Sequence, residues 1–494
     1  MIDALKVLMT GYELDPFFKR GGLGDVMASL PKALVNIGID VRVVVPYYQI
    51  IRSEIEEERI GQFFIHFGKG EEEVGIYKKY FPNTKIIAYF LSNKPNLSYI
   101  NTRGRNKKID QFAFFDLAVA HFIPWLSKNV SWKPQVIHCN DWQTSLIPLI
   151  LKRKTSLSLP TLLTIHNLNY QGRGSLKVLD ILHIKDEDTK EIKRGTPVTE
   201  INILGEGIIH ASRVSTVSPS YAKEIVGSYN HSPIHYFFTR REKASLDSAQ
   251  GKKDEVLGIL NGIDYETWNP KIDNFIFHKY DQDNWEEGKK NNKEDLLKIL
   301  FLDNKPTFCF IGRMAWQKGI DILIKALKRM KVSDFNLIFL GSGTPVIEKS
   351  VLRIAKNFPS NIKTIVAYDE EMAHKLYAGS DFIIIPSRYE PCGLIQMVAM
   401  KYGTLPIASK TGGLKDSISN GENGILFEKN SVPKLSKAIK EALTIYKSKE
   451  HLKTMIVNAM RKDFSWDKSA VLYKKLYEDI LKSNSKDIPV KLNP

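Results

Sequence analysis

The chain has 494 residues, 43% of them hydrophobic and 26% charged, the balance of an ordinary soluble globular protein. That length exceeds one hydrophobic core and calls for two or three domains, and no apolar run approaches the ~20 residues of a membrane-spanning helix. The net charge of +16 comes from short clusters such as Lys78-Lys79, Lys107-Lys108 and Lys289-Lys290, which read as a lysine-rich surface; no basic block or motif supports a nucleic-acid or membrane partner.

The first strand-like run, residues 5–9, opens the chain without the zones of a signal peptide, so a cytoplasmic protein is expected. Lys19-Arg20-Gly21-Gly22-Leu23-Gly24-Asp25 follows it and precedes a helical run at 26–34. Paired glycines let backbone approach a ligand, a helix N-terminus favours phosphate, and Lys19 adds a full positive charge. The same turn is also an ordinary tight connection from strand to helix. Further β-branched runs lie at 41–46, 136–138, 161–165 and 214–217. The run at 136–138 leads into Cys139-Asn140-Asp141-Trp142, and that at 161–165 into His166-Asn167-Leu168-Asn169-Tyr170. Aromatic faces beside carboxylate and amide groups suit a neutral carbohydrate. A lone histidine is more often structural, but His166 stands at a strand end, where open parallel sheets meet ligands.

Residues 239–255 and 281–293 are polar and charged, and a second α/β series begins near 307. Near-continuous apolar strands alternating with helices imply parallel sheets covered on both faces. The fold expected is α/β, two doubly wound Rossmann-like domains facing across a cleft. The N-terminal domain is expected over 1–256, the C-terminal domain over 257–460, and a final segment over 461–494.

Three strand-end loops in the second series carry chemistry. Ile311-Gly312-Arg313-Met314-Ala315-Trp316-Gln317-Lys318-Gly319 places two cations on one loop, suited to the charge that grows on a departing diphosphate. Tyr389-Glu390-Pro391-Cys392-Gly393-Leu394 offers a carboxylate for sugar hydroxyls and a helix start for phosphate, although a capping carboxylate explains Glu390 equally simply. Lys410-Thr411-Gly412-Gly413-Leu414 is a third glycine-rich turn. Cys139, Cys309 and Cys392 have no CxxC partner, so neither a zinc site nor a disulfide is indicated. Asp186-Glu187-Asp188 sits in a charged, helix-like stretch and reads as surface rather than as a metal-binding DxD.

Together with Glu13, Pro16 and Phe17, Leu260-Asn261-Gly262-Ile263-Asp264, Trp268-Asn269-Pro270 and Phe464-Ser465-Trp466, these segments resemble the bacterial-type glycogen and starch synthases over nearly the whole chain. The resemblance implies a two-domain GT-B fold, with the acceptor side in the N-terminal domain, the donor side in the C-terminal one and a last helix within 461–494 that returns to the first domain. It implies metal-independent, retaining transfer of glucose from a nucleoside-diphosphate glucose, ADP- or UDP-linked, to an α-1,4-glucan acceptor, with no cofactor. It implies a catalytic set of Glu390, His166, Arg313, Lys318 and Asp141. Donor contacts are implied for Lys19, Gly21, Gly22, Asn261, Tyr368, Gly393, Leu394, Thr411, Gly412 and Gly413, besides Arg313, Lys318 and Glu390. Tyr368 matches an aromatic that stacks on the base. Ile395, Gly205-Glu206 and Gln111 depart from the family pattern. Two other readings are a GT-B transferase with a different acceptor and a silent glucan-binding protein. The segments at His138 and His166 weigh against the first, and the joint presence of Lys19, Arg313, Lys318 and Glu390 against the second. A phosphorylase is disfavoured, since no motif offers a lysine for pyridoxal phosphate.

Overall fold

The computed structural model describes residues 4–52, 58–98, 105–155, 157–184, 200–227, 233–246, 255–429 and 431–486. Asp186, Glu187 and Asp188 lie outside them. The chain divides into two compact units.

Unit 1 comprises Met1–Val217, Ala222–Ile259 and Trp466–Pro494. Its strands are β1 (Lys6–Thr10), β2 (Asp40–Pro46), β3 (Glu58–Phe67), β4 (Gly70–Tyr80), β5 (Ile87–Ser92), β6 (Val136–Asn140), β7 (Thr161–Ile165), β8 (Arg173–Ser175), β9 (Glu200–Asn202), β10 (Arg213–Thr216) and β11 (Leu257–Gly258). The main sheet runs β11-β10-β7-β6-β1-β2-β5-β4-β3, and β8 pairs with β9 apart from it. From β11 to β5 the pairing is parallel. The residues of β6 and β7 are all buried, including the polar His138, Asn140, Thr161 and Thr164. β3 and β4 extend this sheet in antiparallel fashion, a feature absent from the sequence reading. Its signal is weak because only Ile65 of β3 is buried, so the expected alternation is incomplete.

The helix Trp466–Lys486 belongs to unit 1. Trp466, Ala470, Tyr473, Tyr477 and Ile480 recur at helical spacing and form one buried stripe, in the same core as Leu30 and Leu34 of the helix Gly22–Asn36. Tyr477 Oη lies 2.8 Å from His138 Nδ1, and His138 Nε2 lies 2.7 Å from Thr164 Oγ1. Both nitrogens are thus taken, and burial pushes the His138 pKa down to about 3, so this ring is a neutral structural member.

The departure at Gly205-Glu206 has a local cause. A Cβ on Gly205 would stand 2.5 Å from the Phe237 ring, so packing there excludes any side chain. Glu206 is buried and pairs with His210 at 3.5 Å.

Unit 2 comprises Ser218–Tyr221 and Leu260–Ser465. Its strands are β12 (Thr307–Ile311), β13 (Asn336–Leu340), β14 (Ile362–Ile365), β15 (Phe382–Ile385), β16 (Leu405–Ser409) and β17 (Ile425–Phe427). They form one parallel sheet in the order β14-β13-β12-β15-β16-β17, the strand order of a dinucleotide-binding fold, which reverses between β12 and β15. The polar stretch at 281–293 turns out to run into the helix Trp285–Ile299. Its inward face is partly polar: Lys289 Nζ donates to the carbonyl of Ser380 at 2.9 Å and to Thr404 Oγ1 at 2.8 Å, and Lys293 pairs with Asp381 at 2.6 Å. Buried lysines with satisfied partners thus interrupt the apolar stripe that would have revealed the helix, of which Leu296 and Leu297 remain.

All three cysteines are buried and unbridged. Among the described residues no helix is long and apolar enough to cross a membrane, and no cluster of three His, Cys, Asp or Glu side chains is placed to hold a metal ion.

Candidate active site

In unit 1 the sheet order reverses between β1 and β6, and the loops that follow these strands carry the candidate side chains. After β1 the chain passes Glu13, whose Oε2 accepts the backbone N–H groups of Arg20 and Gly21, each at 2.9 Å. That carboxylate fixes the glycine loop. Gly21 is the N-cap and Gly22 the first residue of the helix Gly22–Asn36. Lys19 Nζ lies 2.5 Å from Asp25 and 3.6 Å from Asp15, so its charge is directed by two carboxylates.

After β6, Asp141 adopts φ 62° and ψ −178°, a conformation that side chains rarely take. The strained turn puts its Oδ1 where it accepts the backbone N–H groups of His166 at 2.8 Å and Asn167 at 3.2 Å. Burial pushes the Asp141 carboxyl up to about 7, against the effect of those two donors. His166, after β7, is half-buried, and burial pushes its pKa down to about 3, so the ring is neutral near pH 7. Asn140 Nδ2 is engaged with the carbonyls of Thr10 and His138, so Asn140 Oδ1 faces His166 Nε2 at 2.9 Å. The hydrogen is therefore on Nε2, and Nδ1 carries the lone pair.

In unit 2 the loops after β12 and β15 meet at the reversal of strand order. Lys318 Nζ lies 2.7 Å from Glu390 Oε2, which also accepts Ser387 Oγ at 2.9 Å. Arg313 Nη2 donates to Gln317 Oε1 at 3.3 Å. The turn after β16 closes on the same place: a Cβ on Gly412 would stand 1.9 Å from the carbonyl oxygen of Glu390, and one on Gly413 2.2 Å from that of Cys392. Only glycine permits this approach of two backbones. Gly413 N–H donates to Glu390 O at 3.1 Å, and Thr411 occupies the N-cap position of the helix Gly412–Ser417. Gly393 has φ +74°, and Leu394 is the N-cap of the helix Ile395–Lys401. Asn261 sits against this loop, its N–H directed to Cys392, and its buried Oδ1 has no partner. An unsatisfied acceptor of this kind suits a ligand hydroxyl.

Tyr368 stands apart from this group. It follows the edge strand β14, two strands from β12, and is 78% exposed. Glu13, Asn140 and Ser387 were missed as site residues by sequence reasoning. Glu13 and Ser387 had a signal, since each lies on a loop already singled out. Asn140 also lies on a segment already singled out, but its pairing with His166 depends on the register of β6 against β7, which sequence does not show.

Residues 6–239 match the starch synthase catalytic domain model, and residues 292–460 the group 1 glycosyl transferase model. The chain is 36% identical to the glycogen synthase of Thermodesulfovibrio yellowstonii, over 97% of this chain and 98% of that protein. It is 37% identical to the glycogen synthase of Caldicellulosiruptor saccharolyticus, over 97% and 100%. Among solved structures it resembles the catalytic domain of starch synthase IV from Arabidopsis thaliana bound to ADP and acarbose, with a TM-score of 0.86 and 28% identity over 97% of this chain and 100% of that one. A sucrose-phosphate synthase from Thermosynechococcus elongatus, at TM-score 0.60 and 18% identity over 97% and 100%, shares the fold alone.

Proposed function

Because the chain belongs to the family of glycogen and starch synthases, we propose that it transfers glucose from ADP-glucose to the non-reducing end of an α-1,4-glucan in the cytoplasm, with retention of configuration. The observation that carries the reading is the convergence, at the strand-order reversal of unit 2, of Lys318, Glu390 and the Gly412-Gly413 turn.

In this reading Arg313 and Lys318 hold the diphosphate. Negative charge grows on that group as its bond to glucose C1 breaks, and fixed cations stabilise it there. The backbone around Gly393, Leu394, Thr411, Gly412 and Gly413 lies against the phosphates, and the family resemblance adds Lys19, Gly21 and Gly22 as donor contacts. Glu390 and Asn261 accept hydrogen bonds from donor hydroxyls, and Tyr368 stacks on the base. On the sugar side, His166 is neutral with its hydrogen committed to Asn140, so Nδ1 is the acceptor for a sugar hydroxyl. Asp141 sets the His166 backbone in place. ADP as the leaving group is favoured by the ADP found in the related Arabidopsis catalytic domain.

The test supplies purified protein and glycogen with labelled ADP-glucose or UDP-glucose, in EDTA, and measures label in polymer. Transfer from ADP-glucose without added metal is the expected result. Faster transfer from UDP-glucose, or activity that returns only with magnesium or manganese, overturns the donor or the metal-independent part of the reading.

A further inference from the structure

Arg388 holds no place in the site described above, yet its side chain joins the two loops that form it. The guanidinium donates from Nη1 to Asp321 Oδ1 and from Nη2 to Asp321 Oδ2, each at 2.8 Å, and from Nη1 to the carbonyl of Trp316 at 2.6 Å. Its Cζ lies 4.3 Å from the Trp316 ring centroid. The Arg388 backbone N–H donates to Gln317 O at 2.8 Å, and Gln317 Nε2 donates to Tyr389 O at 3.3 Å. Two residues before Arg388, the carbonyl oxygen of Pro386 would stand 1.9 Å from a Cβ on Gly319, so the two loops cross in direct backbone contact.

Trp316 is 64% exposed, so burial of its indole contributes little to holding the turn Trp316–Lys318. The hold comes from the guanidinium, which is fork-paired and stacked at once, a combination lysine does not reproduce. An exposed ion pair contributes little by itself. Here the Arg388 side chain is only 13% exposed against 40% for Asp321, and it reaches the very turn that carries Lys318.

We propose that Arg388 is a positioning residue for donor transfer: it locks the loop of Arg313 and Lys318 onto the loop of Glu390, so that the two cations and the carboxylate keep one fixed geometry. The proposal rests on the functional reading for what Lys318 does, though not for what Arg388 holds. A displacement of ~1 Å in a positioned group costs up to about a hundredfold in rate.

The experiment compares Arg388→Ala, Arg388→Lys, Asp321→Asn, Lys318→Ala and the Arg388→Ala/Lys318→Ala double variant for kcat, donor KM and calorimetric ADP affinity, with a crystal structure of Arg388→Ala. Rates are referred to the folded fraction. Arg388→Ala should lower kcat about ten- to a hundredfold, and Arg388→Lys should recover only a small part of it. In the Lys318→Ala background the loss of Arg388 should cost clearly less than it does in the wild type, because part of its effect runs through Lys318. The crystal structure should show the Trp316–Lys318 turn displaced and the Lys318–Glu390 pair broken. Losses that multiply in the double variant, or an unmoved turn, overturn the proposal. Should Arg388→Ala not fold, unchanged kcat in both Arg388→Lys and Asp321→Asn does the same. A wild-type protein that transfers glucose from no donor sinks the functional reading instead, and the turn displacement still decides this one.

Discussion

Lys318 Nζ and Glu390 Oε2 lie 2.7 Å apart, although 72 residues separate them in the chain. The cation assigned to the leaving diphosphate thus shares its charge with the carboxylate assigned to the sugar. A diphosphate that binds Lys318 competes with Glu390 for it.

Glu390→Gln therefore removes a competitor as well as a sugar contact. Glucose transfer should fall by about a hundredfold or more. Affinity for free ADP should stay level or rise, since that ligand has no glucose for Glu390 to touch. Titration calorimetry beside initial rates measures both, and weaker ADP binding contradicts the division of roles.

Lys318→Ala and Arg313→Ala should each weaken ADP binding and also lower kcat, because the contact strengthens as charge develops. The expected cost is about 3 kcal/mol, close to a hundredfold in rate. Lys318→Ala additionally strands the buried Glu390 carboxylate and should lower stability by about 1–3 kcal/mol. Raised KM with unchanged kcat in both variants refutes leaving-group stabilisation.

Asp141 and His166 make opposite contributions to the pH dependence of unit 1. The Asp141 pKa rises from 3.8 to about 7 on folding, so between those values the unfolded chain has lost the proton that the folded one keeps. The stability this carboxyl contributes is complete below about pH 4 and is lost as pH rises towards 7. His166, lowered from 6.5 to about 3, contributes stability that is present above 6.5 and lost as pH falls. Wild-type stability minus that of Asp141→Asn should fall by about 2–3 kcal/mol from pH 5 to pH 8, read from the unit 1 transition in urea. A difference that grows with pH refutes this sign.

Two glycines given the same donor-binding role should respond differently to alanine. Gly21 is extended, at φ −164°, with no atom within 4 Å of a Cβ. Gly21→Ala should leave stability within about 0.5 kcal/mol and raise only the donor KM. Gly412 has φ +44°, and a Cβ there would stand 1.9 Å from Glu390 O. Gly412→Ala should destabilise by more than about 2 kcal/mol and lower kcat with it. Thermal melts and steady-state kinetics separate the two cases.

Several of the parallel strands were legible because burial on both sides makes an unbroken apolar run, as in Phe382–Ile385. The strand-end rule then directed attention to the loops that hold Lys318 and Glu390. What escaped is what depends on pairing. The helix Trp285–Ile299 hides behind two buried lysines: Lys289, which donates to backbone carbonyls some ninety residues away, and Lys293, which pairs with Asp381. Asn140 and Arg388 have ordinary side chains in sequence, and only the neighbours brought by the fold give them work.

The hydroxyl of Tyr477 meets the ring of His138 across 339 residues of sequence. Translation at ~5–20 residues per second puts roughly 17–70 s between the emergence of these partners from the ribosome. Unit 2 is made in that interval as a nearly continuous segment, so the unit synthesised second is the first able to complete its core. A nascent unit 1 meanwhile exposes the seat of the helix Trp466–Lys486 to chaperones. A premature stop codon anywhere before Trp466 leaves that seat bare for good, so late nonsense mutations should yield insoluble protein rather than a shortened enzyme.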